Sequence, residues 1–198
     1  MIAKQQAWRR FDPEDRREAM VEACIRTLAR LGAHGVSVRT ICAEAGVSPG
    51  LLRYYFDGID ALIAEAYRLT GERVANALEA AVAGADDPQS RLVAYLTASF
   101  APPVADPDVL ATWLAFWGLI RTDPAISELH TKLYADYRQR LEALLAPCLP
   151  EGRDLRMTGI GLTALVDGLW LELSLGDAVF SPDEACTIVQ SWLALISK

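Results

Sequence analysis

Residues 37–56 read Ser37-Val-Arg-Thr-Ile-Cys-Ala-Glu-Ala-Gly46-Val-Ser-Pro-Gly-Leu-Leu-Arg-Tyr-Tyr-Phe56. Two short helical runs flank a glycine, which is the layout of a helix-turn-helix. Ser37 caps the first run, Val38–Ala45, and Gly46 can take the left-handed conformation that a tight turn needs. Ser48-Pro49 opens the second run with a cap followed by proline, and the run ends near Phe56. Ile41, Ala45, Val47, Leu52 and Phe56 are spaced to pack the two runs together. That leaves Pro49, Gly50, Leu51, Arg53, Tyr54 and Tyr55 toward the outer face. Such a helix fits the DNA major groove. Arg53 can fork onto a guanine, Arg39 can do the same or bind phosphate, and Tyr54 and Tyr55 can bond phosphate oxygens. Thr40 and Ser48 complete the expected DNA-reading set. The competing reading is a plain helical hairpin with its aromatics in the core. Tyr54, Tyr55 and Phe56 are consecutive, so all three cannot point inward.

Outward from this segment, almost every stretch of the 198 residues reads as helix. Asp12-Pro13 opens a first helix whose stripe is Met20, Cys24, Leu28 and Leu31, and Gly32 and Gly35 end it. After Phe56 come a long helix over 58–83 and further helices over 89–100, 107–121, 124–146, 155–176 and 182–196. The expectation is an all-α fold of about nine helices: a three-helix head over residues 1–57 and a helical body over 58–198. The formal net charge is −7, from 19 Lys and Arg against 26 Asp and Glu. An acidic average argues against a protein that coats nucleic acid by charge alone. Divided along the chain, however, residues 1–57 carry nine basic and seven acidic side chains, for +2. The head is mildly basic and the body holds the acidity.

The sequence now resembles the TetR family of bacterial transcription regulators. The resemblance is carried by Val38-Arg39-Thr40-Ile41, Ala45-Gly46-Val47-Ser48-Pro49-Gly50, Tyr55-Phe56 and Asp60-Ala61-Leu62. The body is similar to the BetI branch, which responds to choline, through Thr112-Trp113-Leu114-Ala115-Phe116-Trp117 and Leu165-Val166-Asp167-Gly168-Leu169-Trp170-Leu171. The resemblance implies a dimeric repressor of double-stranded operator DNA, released by a small-molecule effector that the sequence does not identify. Two positions depart from the family: Arg53 where tyrosine is usual, and Ile59 where a phosphate-binding lysine is usual. Lys4, Arg9 and Arg10 are the basic residues able to compensate. The Ile59 departure also motivates an alternative, a helical interaction protein with a degenerate DNA-binding head.

The resemblance further implies an effector cavity among the middle helices. Trp113, Phe116 and Trp117 share one helical face, and His130, Tyr134 and Tyr137 share another; core packing is the plain reading of both. Tyrosines and tryptophans can also cage an organic cation. Asp167, a carboxylate in an apolar helix that also carries Trp170, needs a partner if buried. Arg138, Arg140, a helix N-terminus or a cationic ligand would each serve. Aromatics beside a carboxylate favour a cation, and a purely apolar lining favours a neutral ligand. The last two helices are the expected dimer seam, through Leu169, Leu173, Val189, Trp192, Leu193 and Ile196.

Other classes find little support. No Ser/His/Asp constellation, HExxH, GxGxxG or paired catalytic carboxylates occur, so an enzyme is not expected. Cys24, Cys42, Cys148 and Cys186 form no CxxC pair, so neither metal nor cofactor is expected. The apolar run 160–175 carries Asp167 and Glu172 and is too short and charged to span a bilayer. The expectation is a cytoplasmic protein without a membrane partner.

Overall fold

A computed structural model describes residues 12–197; the arm residues Lys4, Arg9 and Arg10 lie outside them. Nine α-helices and no strand occur among the described residues. They are α1 (Pro13–Gly35), α2 (Val38–Ala45), α3 (Pro49–Tyr55), α4 (Gly58–Ala83), α5 (Pro88–Thr97), α6 (Pro107–Leu119), α7 (Pro124–Leu145), α8 (Leu155–Leu175) and α9 (Pro182–Ile196). Single 3-10 turns extend α5 over Ala98–Phe100 and α7 over Ala146–Cys148, where Pro147 removes a backbone donor.

The caps follow local chemistry. The side chains of Asp12, Ser37, Ser48, Asp87, Asp154 and Ser181 each accept a bond from a first-turn backbone N–H of the helix they precede. Gly32, at φ 64° and ψ −179°, interrupts α1 near its end. Met20, Cys24 and Leu28 of the expected stripe are fully buried, but Leu31, just before the break, is exposed.

The helices pack as two compact units. One comprises the described residues up to Thr70 together with Ala111–Leu129. In it α1 packs on α2 and α2 on α3, and Ile41, Leu52, Phe56, Leu62 and Ile126 are buried. The rings of Tyr67, Trp113 and Phe116 meet edge to face at centroid distances of 4.9–5.8 Å. The other unit comprises Gly71–Leu110 and the chain from His130 onward. There α9 packs on α5, α8 and the 3-10 turn after α5. Ala185, Val189 and Leu193 turn inward from α9, and Leu162, Val166 and Trp170 from α8. A Cβ on Gly161 would stand 3.2 Å from the Trp192 ring, so glycine lets the indole lie against α8.

Candidate nucleic-acid interface and effector site

The helix-turn-helix forms as its sequence predicts. Gly46 is left-handed at φ 71°, and its N–H and that of Val47 both return to the Cys42 carbonyl. Ser37 and Thr40 make a reciprocal capping box at 3.1 and 2.8 Å, and the Thr40 hydroxyl also donates to the Gly35 carbonyl. Ser48 Oγ accepts the Leu51 N–H at 3.2 Å. Both hydroxyls therefore hold helix ends in place. Arg39, Ser48, Pro49, Gly50, Arg53 and Tyr54 are exposed, and Leu51 and Tyr55 are half-buried. Tyr54, 80% exposed, meets Tyr55 edge to face at 5.1 Å.

Charge on this unit is unevenly committed. Arg26 and Arg30, one helical turn apart on α1, both bond Glu44 of α2 at 3.0 Å and hold its carboxyl below the usual range. Arg17 and Arg68 share Glu65, whose carboxyl falls to about 2. Among the described residues neither Arg39 nor Arg53 is in an ion pair. Ile59, at the lysine position, is half-buried. Cys24 is fully buried and its thiol is pushed up to about 12 by burial, so it stays neutral packing material.

The expected effector residues divide between the two units. Trp113 and Phe116 are buried with Tyr67, and Trp117 is half-buried on the same helix. In the other unit α7 brings His130 against Tyr134 at 4.3 Å and Tyr134 near Tyr137 at 6.4 Å. The Tyr134 hydroxyl donates to Asp167 Oδ1 of α8 at 3.3 Å. Burial pushes the Asp167 carboxyl up to about 6, against the opposing pull of that hydroxyl and of Arg138. The Arg138 guanidinium lies over the Tyr134 ring at 5.9 Å. Burial, then Arg138, holds His130 below its ordinary value, so it is neutral at pH 7. The Tyr137 hydroxyl is enclosed and has no hydrogen-bond partner among the described residues. Burial first, then Tyr95, Asp167 and Tyr134, raise its phenol. Trp170 is buried on α8. Separately, an open groove of about 400 Å³ in this unit is lined mostly by small apolar residues, among them Ala77, Ala81, Ala94, Ala98 and Pro103, with Cys186.

Comparison with known proteins gives this arrangement its setting. Residues 21–66 match the family described as bacterial regulatory proteins, tetR family. Residues 88–198 match the BetI-type transcriptional repressor C-terminal family. The chain belongs to the TetR family. The BetI regulator of Vibrio parahaemolyticus is 29% identical over 187 residues, 91% of this chain and 92% of the relative. A transcriptional regulator of Pseudomonas aeruginosa PAO1 is 39% identical, with a TM-score of 0.85 over 95% of this chain and 93% of that one. A Saccharomonospora viridis regulator solved with choline has the same fold, at 22% identity and a TM-score of 0.81 over 91% and 96% of the two chains. The TetR-family assignment makes the chain a ligand-responsive, DNA-binding transcriptional regulator and not an enzyme.

For this TetR-family regulator, sequence reasoning missed two partners. Tyr95 stacks on Tyr137 at 5.6 Å, from a helix whose sequence gives no sign of it. Arg140, one of the expected partners of Asp167, instead makes a bidentate pair with Glu79 at 2.6 and 2.7 Å. The expected dimer residues differ in exposure. Val189 and Leu193 are buried inside their own chain because that face of α9 covers α5 and α8. Leu169, Leu173, Trp192 and Ile196 are half-buried. The exposed apolar side chains are Met157, Ile160, Leu171 and Leu175 on α8 and Ile188 and Leu195 on α9. The α8 set, with Ala164 and Gly168, recurs every three or four residues as one stripe. By length and composition α8 also passes as a membrane span, but it carries Asp167 and Glu172.

Proposed function

We propose that this chain is a dimeric operator-binding repressor with its reading head in residues 1–57 and its effector and dimer functions in 58–198. The observation that carries the reading is the pair of unpaired, exposed guanidiniums of Arg39 and Arg53 beside Tyr54 on the helix-turn-helix. Arg53 reads a base edge, and Arg39, Tyr54 and Tyr55 engage phosphates. The dimer forms through the exposed stripe of α8 and its neighbours on α9. A two-fold pairing then sets the recognition helices one DNA turn, or a multiple of it, apart. The apolar stripe is one-sided, which suits a partner helix pair better than lipid. A soluble, cytoplasmic protein accords with the family.

The effector is a small organic cation held beside Asp167, Tyr134 and Tyr137. A buried carboxylate among tyrosines, still ionised at neutral pH although burial raises it to about 6, supports this, as does the choline complex of the Saccharomonospora viridis regulator. Cation binding releases DNA by its higher affinity for the DNA-incompetent state. The groove beside Cys186 favours a second reading, a neutral apolar effector. Fluorescence anisotropy with a palindrome from the flanking genome tests the whole. Wild type binds and Arg53→Ala/Tyr54→Ala does not, and Asp167→Asn abolishes release by cations. Equal binding by wild type and the double variant at several salt levels would sink the reading face. Release that survives Asp167→Asn would move the effector to the groove.

A further inference from the structure

The Asp167 cluster offers two polar atoms that the protein leaves unmatched. Tyr134 donates to Oδ1 only, and among the described residues no donor reaches Oδ2. The Tyr137 hydroxyl is enclosed with no hydrogen-bond partner among the described residues, and its ring lies 6.4 Å from that of Tyr134, the residue that bonds Asp167. A buried hydroxyl without a hydrogen bond is disfavoured, and a buried carboxylate prefers a donor over a charge that cannot donate. A quaternary ammonium brings charge but no N–H, so it would leave both atoms as they are. An ammonium with two or more N–H groups satisfies both, while its carbon skeleton lies against the Tyr134 and Tyr137 rings.

We propose that the site selects among organic cations by their N–H groups, taking a protonated primary or secondary amine that donates to Asp167 and to the Tyr137 hydroxyl oxygen, in preference to a quaternary ammonium. This rests on the cation reading above and specifies the effector class within it.

The probes are ethanolamine and its N-methyl, N,N-dimethyl and N,N,N-trimethyl derivatives, the last being choline. They hold charge constant while N–H donors are removed one by one. Calorimetry with the full-length protein at neutral pH should give two steps. Affinity falls about tenfold from the monomethyl to the dimethyl compound, where the Tyr137 bond is lost, and about tenfold again at choline, where the Asp167 bond is lost. Tyr137→Phe, which removes only the unpartnered hydroxyl, should erase the first step and keep the second. Asp167→Asn should weaken every member.

Choline binding as tightly as ethanolamine overturns the selection. So does a first step that survives Tyr137→Phe, which would mean that the second N–H is donated to an acceptor other than Tyr137. If Asp167→Asn abolishes binding of a series that wild type binds evenly, the cation reading stands and the N–H selection falls. If no member binds wild type, both fall together.

Discussion

The guanidinium of Arg17 lies over the ring of Phe56 at 5.1 Å. Phe56 closes α3, the helix that carries Arg53 and Tyr54, and the same guanidinium reaches Glu65 of α4 at 2.6 Å. One side chain of α1 thus ties the end of the reading helix to the helix that follows it. Arg17→Gln is expected to destabilise the protein by about 1 kcal/mol, a value kept small because both contacts are partly exposed. Denaturant titration measures this. Operator affinity should fall several-fold with an unchanged salt slope, because Arg17 orients α3 and does not bind phosphate. A slope that drops by a full unit would place Arg17 on the DNA instead.

Arg53 and Arg39 have different expected signatures. Arg53→Ala should cost about 1–3 kcal/mol of operator binding and relax preference at one base pair per half-site. Arg39→Ala, if its contact is phosphate, should weaken all sequences alike and reduce the salt slope by about one per head. Anisotropy over a series of half-site variants and salt concentrations separates them.

Asp167 predicts a pH dependence of stability. Its carboxyl titrates at about 6 in the folded protein against an ordinary 3.8. Below the ordinary value both states are protonated and the fold is unpenalised. As pH rises through the window from 3.8 to about 6, the folded state must ionise a buried group, and stability falls by at most about 3 kcal/mol. Asp167→Asn, without effector, should therefore be more stable than wild type at neutral pH and equal to it near pH 4. Thermal melts across that range check the sign. Cation affinity should run the other way and weaken below about pH 6. His130 protonation adds to the loss, beside Arg138, Tyr134 and Tyr137 on α7 and Tyr95 on α5.

The exposed stripe predicts the assembly state. Leu171→Glu/Leu175→Glu places two charges at the end of the stripe nearest Gly176, at residues 37% and 65% exposed in the single chain. Folding should be nearly unaffected. Light scattering should read a halved mass, and operator binding should fall by orders of magnitude as the two heads lose their fixed spacing. A dimer that persists would locate the seam elsewhere.

The α9 face supplies a packing test. Gly161→Leu has no room beside the Trp192 ring. Displacing the indole should cost about 1–3 kcal/mol, visible as a lower midpoint of denaturation and a red-shifted tryptophan emission.

Much of the fold was legible because helix ends are local. The cap residues, Gly46 and the Pro-opened helices encode their boundaries within a few residues, so the nine helices among the described residues could all be placed. Which residues of α2 and α3 stay exposed was largely legible for the same reason: both helices are short, and their apolar spacing leaves one surface free. The cluster around Asp167 was only half legible. His130, Tyr134 and Tyr137 follow from helical spacing within α7. Tyr95 and the Tyr134–Asp167 bond join separate helices, and no periodicity encodes which helices meet. The dimer residues were legible only as apolar positions. Val189 and Leu193 are the apolar residues one expects at a seam, but an amphipathic helix buries its best face in its own chain first, and periodicity alone does not say which apolar face that is.

The fork of Arg26 and Arg30 on Glu44 has a consequence for the search along a genome. Of the described head arginines, those two and Arg17 are neutralised by carboxylates; Arg16, half-buried with an enclosed Nε, is in no ion pair among the described residues, and Arg39 and Arg53 are unpaired and exposed. Two heads therefore present four exposed, uncommitted guanidiniums, enough for a salt slope of roughly four before any contribution from Arg16 or from residues ahead of Asp12. Sequence-independent sticking to bulk chromosomal DNA is correspondingly weak. Little of the protein is titrated away by the many competing sites, so a small cellular copy number suffices to keep one operator occupied.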